Sequence, residues 1–212
     1  MSKPVVVIGA GGHAKVLVDA LQAAGAEIAG LVDRNASEAP KAVLGVSVLG
    51  DESRLAEYPP EGYDLVNAVG SVKRMQARRD VYERLREQGY EFPEIIHPKA
   101  VASHDAVIRP GAQILAGAVV GPGSVVGENA IVNTNAVVDH DCDVGAHSHV
   151  APGATLSGSV SMGEATHIGT GASVIQGVRI GRECFVAAGA VVVRRLPDKF
   201  SARGVPAKGR KF

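Results

Sequence analysis

In the stretch ILAGAVVGPGSVVGENAIVNTNAVVDHDCDV, Ile114–Val144, an aliphatic residue stands at every sixth position. The same spacing continues without interruption over 96–192, where only Ala102 is smaller than valine. Four residues after each aliphatic position, most units have a small residue. Helices repeat an apolar face about every 3.6 residues and strands every second residue, so neither element explains the pattern. The period of six predicts a parallel β-helix built from hexapeptide repeats.

Three hexapeptides, about 18 residues, complete one triangular turn of such a β-helix, and successive turns lie about 4.8 Å apart. Residues 18 apart are therefore expected to stack on each other in columns. The aliphatic position points into the prism, and the small residue fits near the corner. Cys142 and Cys184 both fall in the small inward position. Buried, unreactive thiols are therefore favoured over a nucleophile, and two cysteines do not form a disulfide framework.

The chain before the repeat alternates strand-like and helix-like segments. The segments with these signals lie at 4–9, 13–25, 27–33, 64–70 and 71–89. Alternation of this kind predicts a short parallel sheet with helices on its faces. The expected organisation is an α/β domain over 1–95, an all-β parallel β-helix over 96–196 and a basic C-terminal tail over 197–212.

The composition excludes several classes of function. Lys plus Arg and Asp plus Glu both number 22, so the net charge is zero and no global basic field attracts nucleic acid. Aromatic residues make up 4% of the chain and Trp is absent, which disfavours a base-stacking surface. No apolar run approaches 18 residues, and the first residues lack a signal-peptide pattern. A soluble cytoplasmic protein without a membrane partner is expected.

Histidines are most closely spaced in VVDHDCDVGAHSHV, Val137–Val150, where three of them lie among three aspartates. His140 follows an inward valine by two residues and is expected to point outward, with Asp141 beside it. Gly158 lies one turn further on in the same column, where it leaves room and exposes a backbone N–H. Imidazole has a suitable pKa range for proton transfer, and a carboxylate can orient it. The arrangement favours a general base at His140 over a surface histidine without a role.

Other histidines in the repeat give weaker signals. His104 and Asp105 form the same pair two turns earlier, near the domain junction, while His149 and His167 share a column one turn apart. A zinc site needs three ligands about 2 Å from one point, and a neighbouring subunit would have to add the third. No metal is therefore assigned. His147 has no histidine stacked on it; a surface residue without a role is one interpretation, and its role stays open.

A glycine motif, GAGGHA at 9–14, follows the first predicted strand and begins the first predicted helix. With Asp33 at the end of the second strand, it resembles a dinucleotide fingerprint. The glycines permit close backbone approach, and a helix N-terminus favours the anion of any pyrophosphate. About 95 residues leave little room for a second mononucleotide half, which disfavours NAD; a pyrophosphate of another ligand and a tight strand–helix turn without a ligand remain as interpretations.

The segment PDKFSARGVPAKGRKF, 197–212, has an excess of basic residues. It is either a solvated tail or a segment that places Lys208, or a neighbour, against a phosphate of a polyanionic ligand.

Four motifs together resemble the sugar acetyltransferases of the bacillosamine, perosamine and sialic acid O-acetyltransferase group, over nearly the whole chain. They are GAGGHAKV, IIHPKA, the hexapeptides containing DHDCDVGAHSHVAPGA, and GVPAK near the end. In particular, the chain looks like enzymes that N-acetylate the 4-amino group of a nucleotide-linked 4-amino-4,6-dideoxy sugar. The resemblance implies a left-handed β-helix, acetyl-CoA as co-substrate and a homotrimer with acetyl-CoA between adjacent β-helices.

The resemblance also implies roles for individual residues. His140 is the proton acceptor, and Asp141 raises its basicity. Implied acetyl-CoA contacts are His149, Gly158 with its amide facing the thioester carbonyl, and backbone near Thr170 and Ala188. Implied nucleotide-sugar contacts are Gly11, Gly12 and His13 near phosphate and sugar, Asp33 and Arg34 at the nucleotide, and Gly70 closing the pocket.

Three other functions remain open at this point. They are O-acetylation of a sialic acid-type sugar, a zinc-dependent β-helix hydratase, and a non-catalytic module that binds sugar nucleotides.

Overall fold

The computed structural model describes residues 3–70 and 75–211. Its N-terminal half contains a five-stranded sheet with the order β3-β4-β2-β1-β5. The strands are β1 (Val5–Ile8), β2 (Ile28–Val32), β3 (Ala42–Val43), β4 (Val46–Gly50) and β5 (Asp64–Asn67). Neighbouring strands are parallel except for the β3–β4 hairpin. The predicted α/β domain with a parallel sheet is confirmed.

Two α-helices and one short 3₁₀ helix accompany this sheet. They are α1 (Gly12–Ala23), the 3₁₀ helix (Glu52–Glu57) and α2 (Gln76–Glu87). Helix α1 ends just before Gly25, whose φ of 69° reverses the chain. The sequence predicted a helix over 71–89; residues 71–74 lie outside the described ranges, and α2 begins at Gln76. None of the helices in the described ranges has the length and apolar character needed to cross a membrane.

From Ile95 onward, two-residue strands alternate with tight corners and form three parallel faces. The first face contains β6 (Ile95–Ile96), β9 (Gln113–Ile114), β12 (Ile131–Val132), β15 (His149–Val150), β18 (His167–Ile168) and β21 (Phe185–Val186). The second contains β7 (Val101–Ala102), β10 (Val119–Val120), β13 (Val137–Val138), β16 (Thr155–Leu156), β19 (Ser173–Val174) and β22 (Val191–Val192). The third contains β8 (Val107–Ile108), β11 (Val125–Val126), β14 (Asp143–Val144), β17 (Ser161–Met162) and β20 (Arg179–Ile180).

Strand partners in these faces are 18 residues apart, as in the pairing of Val119 with Val137 and of His149 with His167. The inward aliphatic residues of the middle turns are fully buried in one continuous core. Ile96 differs from this pattern: it is 40% exposed because it lies at the first turn, with no earlier turn to cover it. The predicted β-helix and its columns are confirmed.

The chain end closes the other end of the prism. Strands β23 (Phe200–Arg203) and β24 (Lys208–Lys211) form an antiparallel hairpin that joins the first face beside β21. Ala202 and Ala207 are buried and belong to the core of the β-helix. Much of the segment that the sequence suggested as a tail is therefore ordered, because it covers apolar surface that the last turn would expose.

The α/β domain packs on the first turns of the first face. Leu115 and Ile131 are completely buried, and they belong to the same core cluster as Leu17 and Val18 of α1. This contact holds α1 against the β-helix.

Candidate active site

His140 and Asp141 lie at the corner between β13 and β14. The Nδ1 atom of His140 is 2.8 Å from Oδ2 of Asp141, and the two side chains are 46% and 65% exposed. Asp141 occupies the left-handed region with a φ of 55°, which aspartate tolerates better than most residues. The hydrogen bond to Asp141 raises the pKa of His140, and the nearby Asp139 charge adds to this effect. With Nδ1 held by the carboxylate, Nε2 is the nitrogen available to a substrate.

The opposite side of the imidazole ring faces Gly158. A Cβ atom at this position would lie 2.3 Å from Nε2 and 2.5 Å from Cε1 of His140. Only glycine therefore allows the ring to occupy this place. Within the described residues, the Gly158 N–H makes no backbone hydrogen bond and remains available beside the imidazole.

The earlier His-Asp pair has a different arrangement. Asp105 accepts a hydrogen bond from the Gly123 N–H at 3.1 Å, so this carboxylate is directed to the next turn. One turn below His104 the column holds Pro122 instead of a glycine. The pairs His104–Asp105 and His140–Asp141 therefore differ in structure, although their sequences are alike.

His149 and His167 are neighbours on successive turns, as their shared column predicted. Their ring centroids are 5.0 Å apart in an edge-to-face arrangement, and His167 lies flat on Phe185 at 5.2 Å. His149 Nε2 is 2.9 Å from Nδ2 of Asn133. Burial lowers the pKa of His167 to about 4, so this ring is neutral at physiological pH. Across residues 3–70 and 75–211, no group of three His, Cys, Asp or Glu side chains could hold a metal ion.

Both cysteines lie inside the prism, as predicted. Cys142 is 1% exposed and Cys184 is 2% exposed, and burial raises the pKa of each thiol. The Cys142 thiol donates to the carbonyl of Ser157 at 3.3 Å. A buried thiol with a raised pKa contains little thiolate and is a poor nucleophile.

A cavity of about 280 Å³ lies at the carboxyl ends of β1, β2 and β5. Four of the predicted substrate contacts line it, namely Gly11, Asp33, Arg34 and Gly70. The Asp33 carboxylate accepts hydrogen bonds from the Ala10 and Asn35 N–H groups, at 2.7 and 2.8 Å. Asp33 therefore braces the glycine-rich turn at the mouth of this cavity.

Two other predicted substrate contacts, Gly12 and His13, do not line this cavity. The His13 ring is turned toward the β-helix, where Nε2 lies 2.9 Å from Oε1 of Gln113. Burial, together with the nearby charge of Arg78, lowers the pKa of His13 to about 4. His13 is therefore a neutral ring at the junction between the two halves.

The interpretation of His147 as a surface residue is wrong. It is 7% exposed, its Nδ1 lies 3.0 Å from Nδ2 of Asn129, and its ring meets the edge of Tyr82. Helix α2 covers this corner of the β-helix, and burial lowers the pKa of His147.

Sequence reasoning missed the polar residues of the domain junction. Gln113 donates to the carbonyl of Asn67 at 2.8 Å, and the Asn67 side-chain amide reaches Oδ1 of Asn129. Gln113 gave one usable signal. It is a polar residue in an outward column whose neighbours, Ile95 and Ile131, are apolar, as expected for a covered face.

The remaining predicted acetyl-CoA contacts lie toward the C-terminal end. Thr170 and Ala188 are exposed and occupy the same corner column one turn apart, joined by a hydrogen bond from the Gly189 N–H to the Thr170 carbonyl. Lys208 is exposed on β24. Their contact with acetyl-CoA stays a prediction.

A β-helix of hexapeptide repeats that has a His-Asp pair beside a glycine is typical of hexapeptide acyltransferases. Residues 123–158 match the family of bacterial transferase hexapeptides, and residues 4–85 match the PglD N-terminal domain. The chain belongs to the hexapeptide-repeat sugar acetyltransferases that carry this N-terminal domain.

Solved structures of similar proteins cover the whole chain. Perosamine N-acetyltransferase from Caulobacter crescentus, in a histidine variant with CoA and GDP-perosamine, is 41% identical with a TM-score of 0.91 over 100% of this chain and 99% of that one. The acetyltransferase domain of PglB from Neisseria gonorrhoeae, with acetyl coenzyme A, is 38% identical with a TM-score of 0.90 over 99% and 100%. WeeI from Acinetobacter baumannii, at 21% identity and a TM-score of 0.86, shares the fold.

Proposed function

We propose that the chain transfers an acetyl group from acetyl-CoA to the amino group of a nucleotide-linked amino-dideoxy sugar. The observation that carries the proposal is the His140–Asp141 pair, with Nε2 free beside Gly158. The relatives described above add the substrate class, since one was solved with CoA and GDP-perosamine and another with acetyl coenzyme A. A cytoplasmic location is part of this proposal.

In the proposed reaction, the sugar amine attacks the thioester carbonyl directly. A neutral amine is a good nucleophile, and Nε2 of His140 accepts its proton as the C–N bond forms. Asp141 holds the other nitrogen and favours the imidazolium. The Gly158 N–H donates to the oxyanion, and the C–S bond then breaks. The imidazolium returns the proton to the CoA thiolate, which restores the neutral base.

The acetyl-CoA site is proposed to lie between two β-helices of a homotrimer. The repeats run without a long insertion, so no loop of the β-helix can cover His140 and Asp141, which are both substantially exposed. A neighbouring prism would provide that cover and exclude water. His149, Gly158, Thr170, Ala188 and Lys208 are proposed to contact the cofactor.

The nucleotide is proposed to occupy the cavity in the α/β domain. Backbone N–H groups at the start of α1 favour a pyrophosphate, and Arg34 adds a positive charge at the cavity wall. Gly11, Gly12, His13, Asp33, Arg34 and Gly70 are the proposed substrate contacts. Because Gly12 and His13 do not line the cavity, their proposed contact is with the sugar end of the ligand, where it would extend toward the β-helix.

A panel of amino sugars linked to GDP, UDP and dTDP tests the function directly. Thiol release from acetyl-CoA is measured for each, with the matching 4-hydroxy sugars as controls. Release with an amino sugar only is expected. Release with the hydroxy sugars only would replace the proposal with O-acetylation, and no release with any acceptor would favour a binding module.

Replacing Asp141 with Asn should lower kcat less than loss of His140 and should move the acidic limb of the kcat/KM profile to lower pH. Asp141 raises the pKa of His140, so its removal lowers the pH at which the base becomes protonated. Asparagine tolerates the same positive φ, which keeps the corner intact. A pH–rate series on this variant is the measurement. An unmoved limb with a raised KM for the nucleotide sugar would instead assign Asp141 to the substrate ammonium.

Replacing Cys142 with Ser should leave most activity, because the thiol is buried and the amine attacks without an acyl-enzyme. Initial rates with both substrates varied should give intersecting lines, as expected for a ternary complex. Parallel lines, or an acetylated cysteine found by mass spectrometry, would contradict direct transfer.

A further inference from the structure

Arg78, in the first turn of α2, is a buried cation at the junction of the two halves. It is 1% exposed. Its Nη1 donates to the carbonyls of Asn67 and Val69, at 2.6 and 3.2 Å, and its Nε donates to the carbonyl of Asn129 at 3.2 Å. Its Nη2 is buried and has no hydrogen-bond partner among residues 3–70 and 75–211. The guanidinium thus retains donor capacity that the described residues do not use.

The charge of Arg78 is also unpaired within the described part of the chain. Its three acceptors are all backbone carbonyls, and no described carboxylate forms an ion pair with it. Burial lowers the pKa of Arg78 to about 9, which still leaves it charged at physiological pH. A buried cation without a counter-ion is costly, so a protein that keeps one gains something from it elsewhere.

The surroundings of Arg78 lead to the cavity of the α/β domain. Val69, whose carbonyl it binds, lines this cavity, and so does Ala77, the residue before it. The positive charge of Arg78 also acts on His13, which follows the glycine-rich turn. Gly11 of that turn lines the same cavity. The guanidinium therefore lies behind the wall against which a pyrophosphate is proposed to bind.

We propose that Arg78 is a positioning residue for the nucleotide-sugar pocket. It fixes the segment from Asn67 to Gly70 in its binding conformation, and it supplies the buried positive charge that a bound diphosphate neutralises. The inference rests on the proposed function, because it requires a nucleoside diphosphate in this cavity. Loss of the hydrogen bonds to the pocket wall would weaken every ligand alike, whereas loss of the positive charge weakens only a charged ligand, so the difference between diphosphate and nucleoside binding measures the contribution of the charge.

Calorimetry with paired ligands tests this role. The wild-type protein, Arg78→Met and Arg78→Lys are titrated with GDP, UDP and dTDP and with the three matching nucleosides. For the diphosphate that binds the wild type, Arg78→Met should raise Kd roughly 10- to 100-fold, while Kd for the nucleoside changes by less than about threefold. Arg78→Lys keeps the charge but cannot reach three carbonyls, so it should recover part of the diphosphate affinity.

Arg86→Met is the matched control, since it removes the same charge from the same helix at an exposed pair with Glu91. It should bind both ligands as the wild type does. The KM for acetyl-CoA should be unchanged in all three variants, which shows that the β-helix site is intact.

Three results would overturn the inference. The first is that Arg78→Met raises Kd for diphosphate and nucleoside equally, and the second is that it raises neither. The third is that Arg86→Met raises Kd for the diphosphate as much as Arg78→Met does. If Arg78→Met lacks a melting transition, Arg78→Gln takes its place, because glutamine also removes the charge but keeps a hydrogen-bond donor; equal weakening of diphosphate and nucleoside binding by this variant excludes a role for charge. Failure of the wild type to bind any nucleoside diphosphate would instead reject the proposed function.

Discussion

Replacing His140 with Ala or Asn will lower kcat by roughly 10²–10⁴-fold, the usual contribution of a positioned acid–base group. The variant loses the proton acceptor while the sugar amine and the thioester still bind. The KM values for both substrates should therefore change little, and the fall should appear in single-turnover rates as well as in kcat. Both variants should fold normally, because the side chain is half exposed and lies outside the apolar core.

His104→Ala is the matched control for this experiment. It has the same His-Asp sequence, but its aspartate is bound to Gly123 and no glycine lies beneath the ring. It should keep nearly full activity. Equal losses of kcat in the His104 and His140 variants would show that the glycine in the column and the contact with Asp141 do not determine which histidine is the base.

Replacing Gly158 with Ala will lower kcat roughly 10²-fold, a size consistent with an active-site displacement of about 1 Å. The new methyl group would lie 2.3 Å from Nε2 of His140, so the ring must move away from its place above the turn. The backbone itself is not strained, because Gly158 is absent from the positive-φ positions of the repeat. The melting temperature should stay close to that of the wild type, since a half-exposed ring can move without disturbing the core.

The double variant His140→Ala with Gly158→Ala separates this mechanism from general damage. If the methyl group acts through the imidazole, the double variant should be about as slow as His140→Ala alone. A small further fall in kcat would report a disturbed hydrogen bond from the Gly158 N–H to the oxyanion. Fully multiplied losses would contradict the displacement of His140 as the cause.

Within the β-helix, the sequence alone was sufficient to predict both the fold and the central pair of the candidate site. The period of 18 residues converts spacing along the chain into adjacency in space, so His140 above Gly158 and His149 beside His167 followed from counting. The inward position of both cysteines followed in the same way. The period could not show that the chain end would fold back over the last turn.

The junction between the halves was decided only by the tertiary structure. His147 looked like a surface residue because nothing in the repeat indicates that α2 lies over its corner. The turn of His13 toward Gln113 and the burial of Arg78 against Asn67 were not predicted either, although the apolar neighbours of Gln113 indicated a covered face. These contacts join residues far apart in the chain, across two domains with no shared period. They are set by how two apolar surfaces dock, which local spacing does not encode.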